Sequence, residues 1–271
     1  MNLKDKNIIV TGGARGIGKA LGKQFSAAGA HVAIADLSEI EAKAVASTIG
    51  GIGILCDVTK ENNIQKLVKT VESSFGEIDL FVSNAGICLG ENDHAASASN
   101  AAWDLCWSIH VMAHVYAARA VLPSMIRRKK GYFLQIISAA ALLSQIGDAA
   151  YSTTKHAALG FAESLAITHK SDGISVSVAC PQYVSTEMLG YKEDKIRSTN
   201  SKIMTPEDLA KLIILGIEAK KFLILPHPEV YDFMNFKSKS YDKWINQMHE
   251  LRQKALDKSG TLDIKTLHKF I

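Results

Sequence analysis

The chain has 271 residues, 47% of them hydrophobic and 21% charged, with a formal net charge of +4. That balance is a globular one with enough apolar residues for a sizeable core, which excludes an intrinsically disordered chain. The positive excess is too mild to imply nucleic acid, and the short basic runs at 127–130 and 220–221 read as helix ends, where cations meet the negative end of the helix dipole. Cys56, Cys88, Cys106 and Cys180 form no C-x-x-C pair and no metal-ligand spacing, which argues against a zinc site or a disulfide framework.

In chain order, short, nearly continuous apolar runs at 8–10, 32–35, 52–56, 80–82, 133–137, 175–179 and 222–225 alternate with segments of helical period. Such runs are the pattern of strands buried on both faces, and the alternation predicts one α/β domain, a doubly wound parallel sheet of Rossmann type with helices on both faces. The first strand follows the N-terminus at once, which leaves no room for a signal peptide, and no apolar run approaches the ~20 residues of a membrane span, so a cytoplasmic protein is expected. The catalytic domain is expected over 1–226, a charged helical extension with an apolar side over 227–258, and a tail open to disorder over 259–271.

The first strand runs into Thr11-Gly12-Gly13-Ala14-Arg15-Gly16-Ile17-Gly18 and then a helix. Gly12, Gly16 and Gly18 allow a sharp turn and close backbone approach, and a helix N-terminus offers free N–H groups to a pyrophosphate. The second strand ends at Asp36, where a carboxylate can accept both hydroxyls of an adenosine ribose. Its charge would also repel a 2′-phosphate, by on the order of 4 kcal/mol at ~4 Å and an effective dielectric near 20. NAD is therefore expected over NADP. Arg15 argues the other way, since a guanidinium in this loop can pair a phosphate, and Asp36 has a competing reading as a helix cap. Ser38 and Glu41 form a capping-box pattern just beyond it.

Tyr151 and Lys155 are four apart on a predicted helix and so share one face. An ammonium beside a phenol lowers its pKa and lets it exchange a proton with a substrate oxygen. Thirteen residues upstream, Ser138 closes the fifth strand, whose carboxyl end faces the ligand crevice in such sheets.

These motifs, in this order, resemble the short-chain dehydrogenase/reductase family over about residues 5–226, through T-G-G-A-R-G-I-G at 11–18, D-V at 57–58, N-A-G at 84–86, Ser138, Y-S-T-T-K at 151–155 and P-Q-Y-V-S-T at 181–186. The resemblance implies an NAD-dependent oxidoreductase acting on CH–OH groups. Tyr151 would be the acid/base, Ser138 would orient the substrate oxygen, and Lys155 would tune the tyrosine and hold the nicotinamide ribose. Gly12, Arg15, Gly16, Ile17 and Gly18 would contact the pyrophosphate, and Asp57 and Val58 the adenine. Asn84, Ala85 and Gly86 would lie near the ribose, with Pro181, Val184 and Thr186 at the carboxamide and phosphates. The family's usual asparagine, seven residues after a tryptophan, is His110 here. Its usual role is to kink the helix and expose a backbone carbonyl, so the question is whether the imidazole or only the backbone takes part in a proton relay.

The expected substrate pocket takes in 87–97, 139–146, Gln182 and 186–204, with Ala140, Gln182 and Met188 as candidate contacts. No arginine sits in its near segments, Arg197 being the local candidate for a carboxylate clamp, so a hydrophobic secondary alcohol or ketone is favoured. An acyl-carrier ketoreductase is the alternative; it would normally want NADPH, against which Asp36 argues. A non-catalytic dinucleotide sensor or partner-binding protein is a third reading, opposed by the presence of both Tyr151 and Lys155. The family resemblance further implies a homodimer or homotetramer through helices at 101–128 and 151–170.

Overall fold

Because successive strand residues point to opposite faces, an apolar run must be covered twice. In the computed structural model, which describes residues 1–91, 93–191, 203–263 and 267, seven strands meet that demand: β1 (Asn7–Thr11), β2 (His31–Asp36), β3 (Ile52–Leu55), β4 (Leu80–Ser83), β5 (Gly131–Ile136), β6 (Ile174–Ala179) and β7 (Leu223–Ile224). All pairings are parallel, in the order β3-β2-β1-β4-β5-β6-β7. Ile9, Phe81, Phe133 and Val176 face one core, which is shared with α3 (Glu61–Phe75), α5 (Ala113–Arg127) and α6 (Ala149–Thr168). Ile8, Val10, Leu80 and Leu134 face the other, against Leu21 and Phe25 of α1 (Gly16–Ala27) and Leu209 and Ile213 of α7 (Pro206–Glu218). The order reverses between β1 and β4, and a ligand crevice opens at the carboxyl ends of strands at such a switch point.

Four elements add to or depart from the sequence reading. The helix expected over 101–128 is interrupted: α4 (Asn100–Trp107) passes through a π turn at Ser108–Met112 before α5. This 28-residue run, Asn100–Arg127, also reaches the length and hydropathy of a membrane span, beyond what the apolar runs suggested. It is nevertheless a core helix, with Ala113, Ala117, Val121 and Met125 packed against the sheet. The helical extension expected over 227–258 is made of two helices, α8 (Glu229–Lys239) and α9 (Tyr241–Ser259), broken at Ser240 with φ −149° and ψ 68°. The capping box of α2 (Glu39–Thr48) forms by half: the Ser38 hydroxyl accepts from the Glu41 N–H, while the Glu41 carboxylate turns to Arg15. Of the tail, Leu262 lies against Gly147 and Leu267 is buried; residues 264–266 and 268–271 lie outside the described residues.

Candidate active site

The glycine loop leaves β1 with Gly12 at φ +60° and Gly16 at φ +52°, a conformation that favours glycine. A Cβ at Gly12 would come 2.8 Å from Ala85 Cα, and one at Gly18 would collide with the Gly12 carbonyl. The loop is tied to the end of β4 by Asn84, whose amide donates to the carbonyls of Thr11 and Gly12, both at 2.9 Å. Thr11 Oγ1 reinforces the seam, donating to the Val82 carbonyl and accepting from the Asn84 N–H. Helix α1 then starts with no side-chain cap and no acidic residue in its first turn. Its first N–H groups are left to an anion, and Ile17 and Gly18 sit in that turn. Thr186 closes the cradle from the far side, its Cγ2 3.3 Å from where a Gly16 Cβ would lie. The residues therefore fit a dinucleotide pyrophosphate.

At the end of β2, Asp36 Oδ2 accepts the Ala14 N–H at 3.0 Å and Oδ1 accepts from Ser38 at 3.4 Å. The cap of α2 is Ser38 and not Asp36, whose carboxylate braces the glycine loop and stands at the strand end. The Arg15 guanidinium is bound by Glu41 at 2.9 Å and Glu187 at 2.8 Å, partners that the sequence did not point to. Asp57 Oδ1 accepts from the N–H and hydroxyl of Thr59, making a local turn beside the buried Val58.

Tyr151 and Lys155 lie on α6, 9% and 3% exposed, with Lys155 Nζ 5.4 Å from the tyrosine ring centre. Burial pushes the Lys155 ammonium down to about 8. Burial also raises the Tyr151 phenol above its ordinary range, with Cys88 adding to the rise and hydrogen bonding from Ser138 opposing it. Ser138 follows β5 with φ 153° and ψ 156°, backbone geometry that costs about 1–3 kcal/mol and recurs at functional sites. The Ala139 N–H to the Pro181 carbonyl, 2.8 Å, holds it there. Gly86 brings the loop after β4 to this cluster: a Cβ on it would lie 3.6 Å from Lys155 Nζ and 3.7 Å from His110 Nε2.

His110 occupies the π turn, is fully buried, and meets the Tyr151 ring edge-on at 5.4 Å. Its Nε2 accepts the Ile87 N–H at 3.1 Å, so that nitrogen carries no proton. The proton of the neutral ring is on Nδ1 and is donated to Thr154 Oγ1 at 2.8 Å, while the threonine hydroxyl donates to the Ala150 carbonyl at 2.8 Å. Both nitrogens are thus committed. Burial, with Lys155 and His114 adding to it, pushes the imidazole down to about 2. Burial likewise takes His114 down to about 4.

This geometry yields two expected results. His110→Asn keeps turnover within about threefold of wild type and leaves a single tyrosine-governed limb in the pH profile, since a neutral ring with both nitrogens engaged carries no proton. A tenfold loss with intact dinucleotide binding would overturn that. The second concerns stability. Above pH 6.5 both histidines are neutral, folded or unfolded. Below it the unfolded chain takes up protons that the folded one refuses, so stability falls as pH drops from 6.5 towards the folded values. At pH 5 the loss is on the order of 2 kcal/mol per histidine. Urea midpoints at pH 7 and pH 5 should separate accordingly, and the separation should shrink in His110→Asn.

Two residues of this cluster were not singled out from sequence. Thr154 completes the His110 chain. Asp148, 1% exposed, caps α6 by accepting the Tyr151 N–H at 2.9 Å. An aspartate three residues before a helical N–H is a capping signal, so Asp148 was findable as a cap.

On the substrate side, Ala140 is buried, Met188 is 41% exposed and the Gln182 N–H donates to His227 Nδ1 at 3.1 Å. The C-terminal helices pack here: Val230 and Trp244 join Ala139 and Leu143 in one apolar cluster, and Lys237 Nζ donates to the carbonyls of Leu142 and Leu143, both at 2.9 Å. Val184 bridges to Met204. Arg197 lies outside the described residues.

A glycine cradle at a switch point, facing a tyrosine and a lysine on α6 and a serine at the end of β5, is the arrangement of a dinucleotide-dependent oxidoreductase. The family profile described as short chain dehydrogenase matches residues 6–197, and the chain belongs to that family. It is 30% identical over 200 residues to the 3-oxoacyl-[acyl-carrier-protein] reductase FabG of Escherichia coli, covering 73% of this chain and 81% of that protein. It is 32% identical over 192 residues to the oxidoreductase UcpA of Salmonella typhimurium, covering 69% and 72%. Among solved structures, a short chain dehydrogenase/reductase from Burkholderia phymatum in complex with NAD superposes with a TM-score of 0.80 at 22% identity, covering 89% of this chain and 96% of that one.

Proposed function

We propose that this oxidoreductase prefers NAD and interconverts a hydrophobic secondary alcohol and its ketone. The observation that carries the reading is the Ser138–Tyr151–Lys155 group beside the glycine cradle. Bound NAD supplies the hydride acceptor or donor. Tyr151 passes a proton at its phenol oxygen, Ser138 holds the substrate oxygen, and Lys155 favours the phenolate and binds ribose hydroxyls. Gly12, Gly16, Ile17 and Gly18 hold the pyrophosphate, Asp36 the adenosine ribose, and Asp57 and Val58 the adenine. Asn84, Ala85, Gly86, Pro181, Val184 and Thr186 line the nicotinamide half. Asp36 supports NAD, and so does Arg15, whose two carboxylate partners draw it away from a 2′-phosphate. The apolar walls from Ala140, Leu142 and Leu143 support a hydrophobic substrate.

Acyl-carrier ketoreduction is a second reading, favoured by the likeness to FabG. A panel of secondary alcohols, ketones and a β-ketoacyl thioester, run with both dinucleotides and read by absorbance of the reduced form, separates the two. No turnover of any member would remove the enzyme reading itself. The four free cysteines suit a reducing cytoplasm.

Assembly into a homodimer or homotetramer is part of the proposal. Leu105 and Trp107 on α4 are 43% and 44% exposed, and Ile167 on α6 is 78% exposed, more apolar surface than these core helices need to leave open. Light scattering at micromolar concentration should give a multiple of 29.4 kDa; a monomer mass contradicts it.

A further inference from the structure

We propose that Asp148 is a positioning residue of the site, clamping the loop after β4 onto the first turn of α6 and so fixing the two walls that face Tyr151. Capping α6 needs only one acceptor. At α2, α4 and α7 a single hydroxyl, from Ser38, Ser99 or Thr205, does that work. At Asp148 the Oδ1 atom is the cap, accepting the Tyr151 N–H. The second oxygen is surplus to capping, and all its donors come from the loop: the Gly90 N–H at 2.8 Å, the Leu89 N–H at 3.1 Å and the Cys88 thiol at 3.5 Å. A carboxylate so fully buried is costly unless its lone pairs are satisfied. Here the satisfaction comes from two segments 58 to 60 residues apart in sequence. Glu91 repeats the link beside it: its side chain accepts the Ala149 N–H at 3.0 Å and its own N–H donates to the Gly147 carbonyl at 2.9 Å. The clamped loop leads directly from Gly86 and Ile87, which meet Lys155 and His110.

The clamp also places a negative charge in the tyrosine's enclosure. The groups facing Tyr151 are Lys155 and Asp148 from α6 and its cap, His110 from the π turn, Ser138 from the end of β5, Cys180 from the end of β6 and Cys88 from the loop after β4. Asp148 disfavours the phenolate, against Lys155. Neutralising it therefore has two separable consequences: the loop is released, and the tyrosine titrates at lower pH. The second consequence rests on Tyr151 being the proton carrier; the first does not.

Asp148→Ser keeps a hydroxyl that can cap Tyr151 but is too short to reach the loop, and Asp148→Asn keeps the shape without the charge. Hydrogen exchange read by mass spectrometry needs no substrate. In Asp148→Ser the amides of Leu89 and Gly90 should exchange about tenfold faster or more while those within α6 are unchanged. Turnover should fall about tenfold with NAD binding retained, as loosened positioning predicts. In Asp148→Asn the tyrosine limb of the pH profile should move to lower pH. Wild-type exchange at Leu89 and Gly90 overturns the proposal, as does faster exchange with both turnover and the pH limb unmoved. If the serine variant does not fold, the asparagine variant is read by the same exchange and pH measurements and the same two results decide. Absence of turnover in the wild type on every substrate, with faster exchange in the variant, would count against the tyrosine reading and leave the clamp supported.

Discussion

Tyr151→Phe should lower turnover by ~10²-fold or more while leaving dinucleotide binding as it was, since general acid–base catalysis contributes that much and a phenyl ring fills the same space. The ring's packing supports a clean experiment: it is 9% exposed and seated edge-on against His110, contacts that phenylalanine keeps. The loss corresponds to about 3 kcal/mol of transition-state stabilisation. The pH dependence supplies a second check. In alcohol oxidation the phenolate is the working form, so the rate should climb with pH towards the tyrosine's titration. Lys155, held down to about 8, keeps the ammonium that favours phenolate only below that pH, so its deprotonation should flatten the climb above it. The phenylalanine variant should lose the climb altogether. A variant that turns over like wild type would mean that Tyr151 is not the acid/base.

The sheet was legible because parallel strands covered on both faces read as uninterrupted apolar runs, and seven such runs became seven strands. Breaks decided by local backbone were less legible. Nothing in the amphipathic period from 229 to 258 marks Ser240 as a corner, because both α8 and α9 present apolar residues to the same cluster around Trp244. The π turn at Ser108–Met112 was equally hidden. The resemblance implied a kink near position 110, but the extra residue in the turn is accommodated where His110 finds Ile87 and Thr154, partners from other elements.

The site divides the same way. Tyr151, Lys155 and Ser138 could be read because helical period and strand ends fix where they point. Arg15 could not, since its carboxylate partners are 26 and 172 residues away and only folding brings them to it. Asp148 falls between these cases. Its capping of α6 was available from its spacing to Tyr151, whereas its grip on Leu89 and Gly90 was not, because no local rule connects a helix cap to a loop on another strand. The place of Asp36 at the end of β2 was likewise legible, but its bond to the Ala14 N–H was not, and that bond alters what its substitution should do.

NAD should bind far more tightly than NADP, and Asp36→Ala should narrow the gap from both sides. Removing the carboxylate relieves the repulsion of a 2′-phosphate, which near 4 Å is on the order of 4 kcal/mol before screening, so NADP should gain strongly. The same substitution strips the Ala14 N–H of its partner at the apex of the glycine loop, and loses the acceptor for the ribose hydroxyls, so NAD should weaken. An unsatisfied buried donor of that kind costs about 1–3 kcal/mol. Asp36→Asn separates the two effects: its side-chain oxygen can still accept from Ala14, so NAD should suffer less than in the alanine variant, while the charge that excludes the phosphate is gone. Arg15 works with the change. Freed of one carboxylate by Glu187→Gln in the Asp36→Asn background, its guanidinium has less to hold it away from a 2′-phosphate, so NADP binding should rise further. Fluorescence titration of the reduced dinucleotides measures all four proteins. Equal affinities for NAD and NADP in the wild type would sink the assignment of Asp36, whatever the variants do.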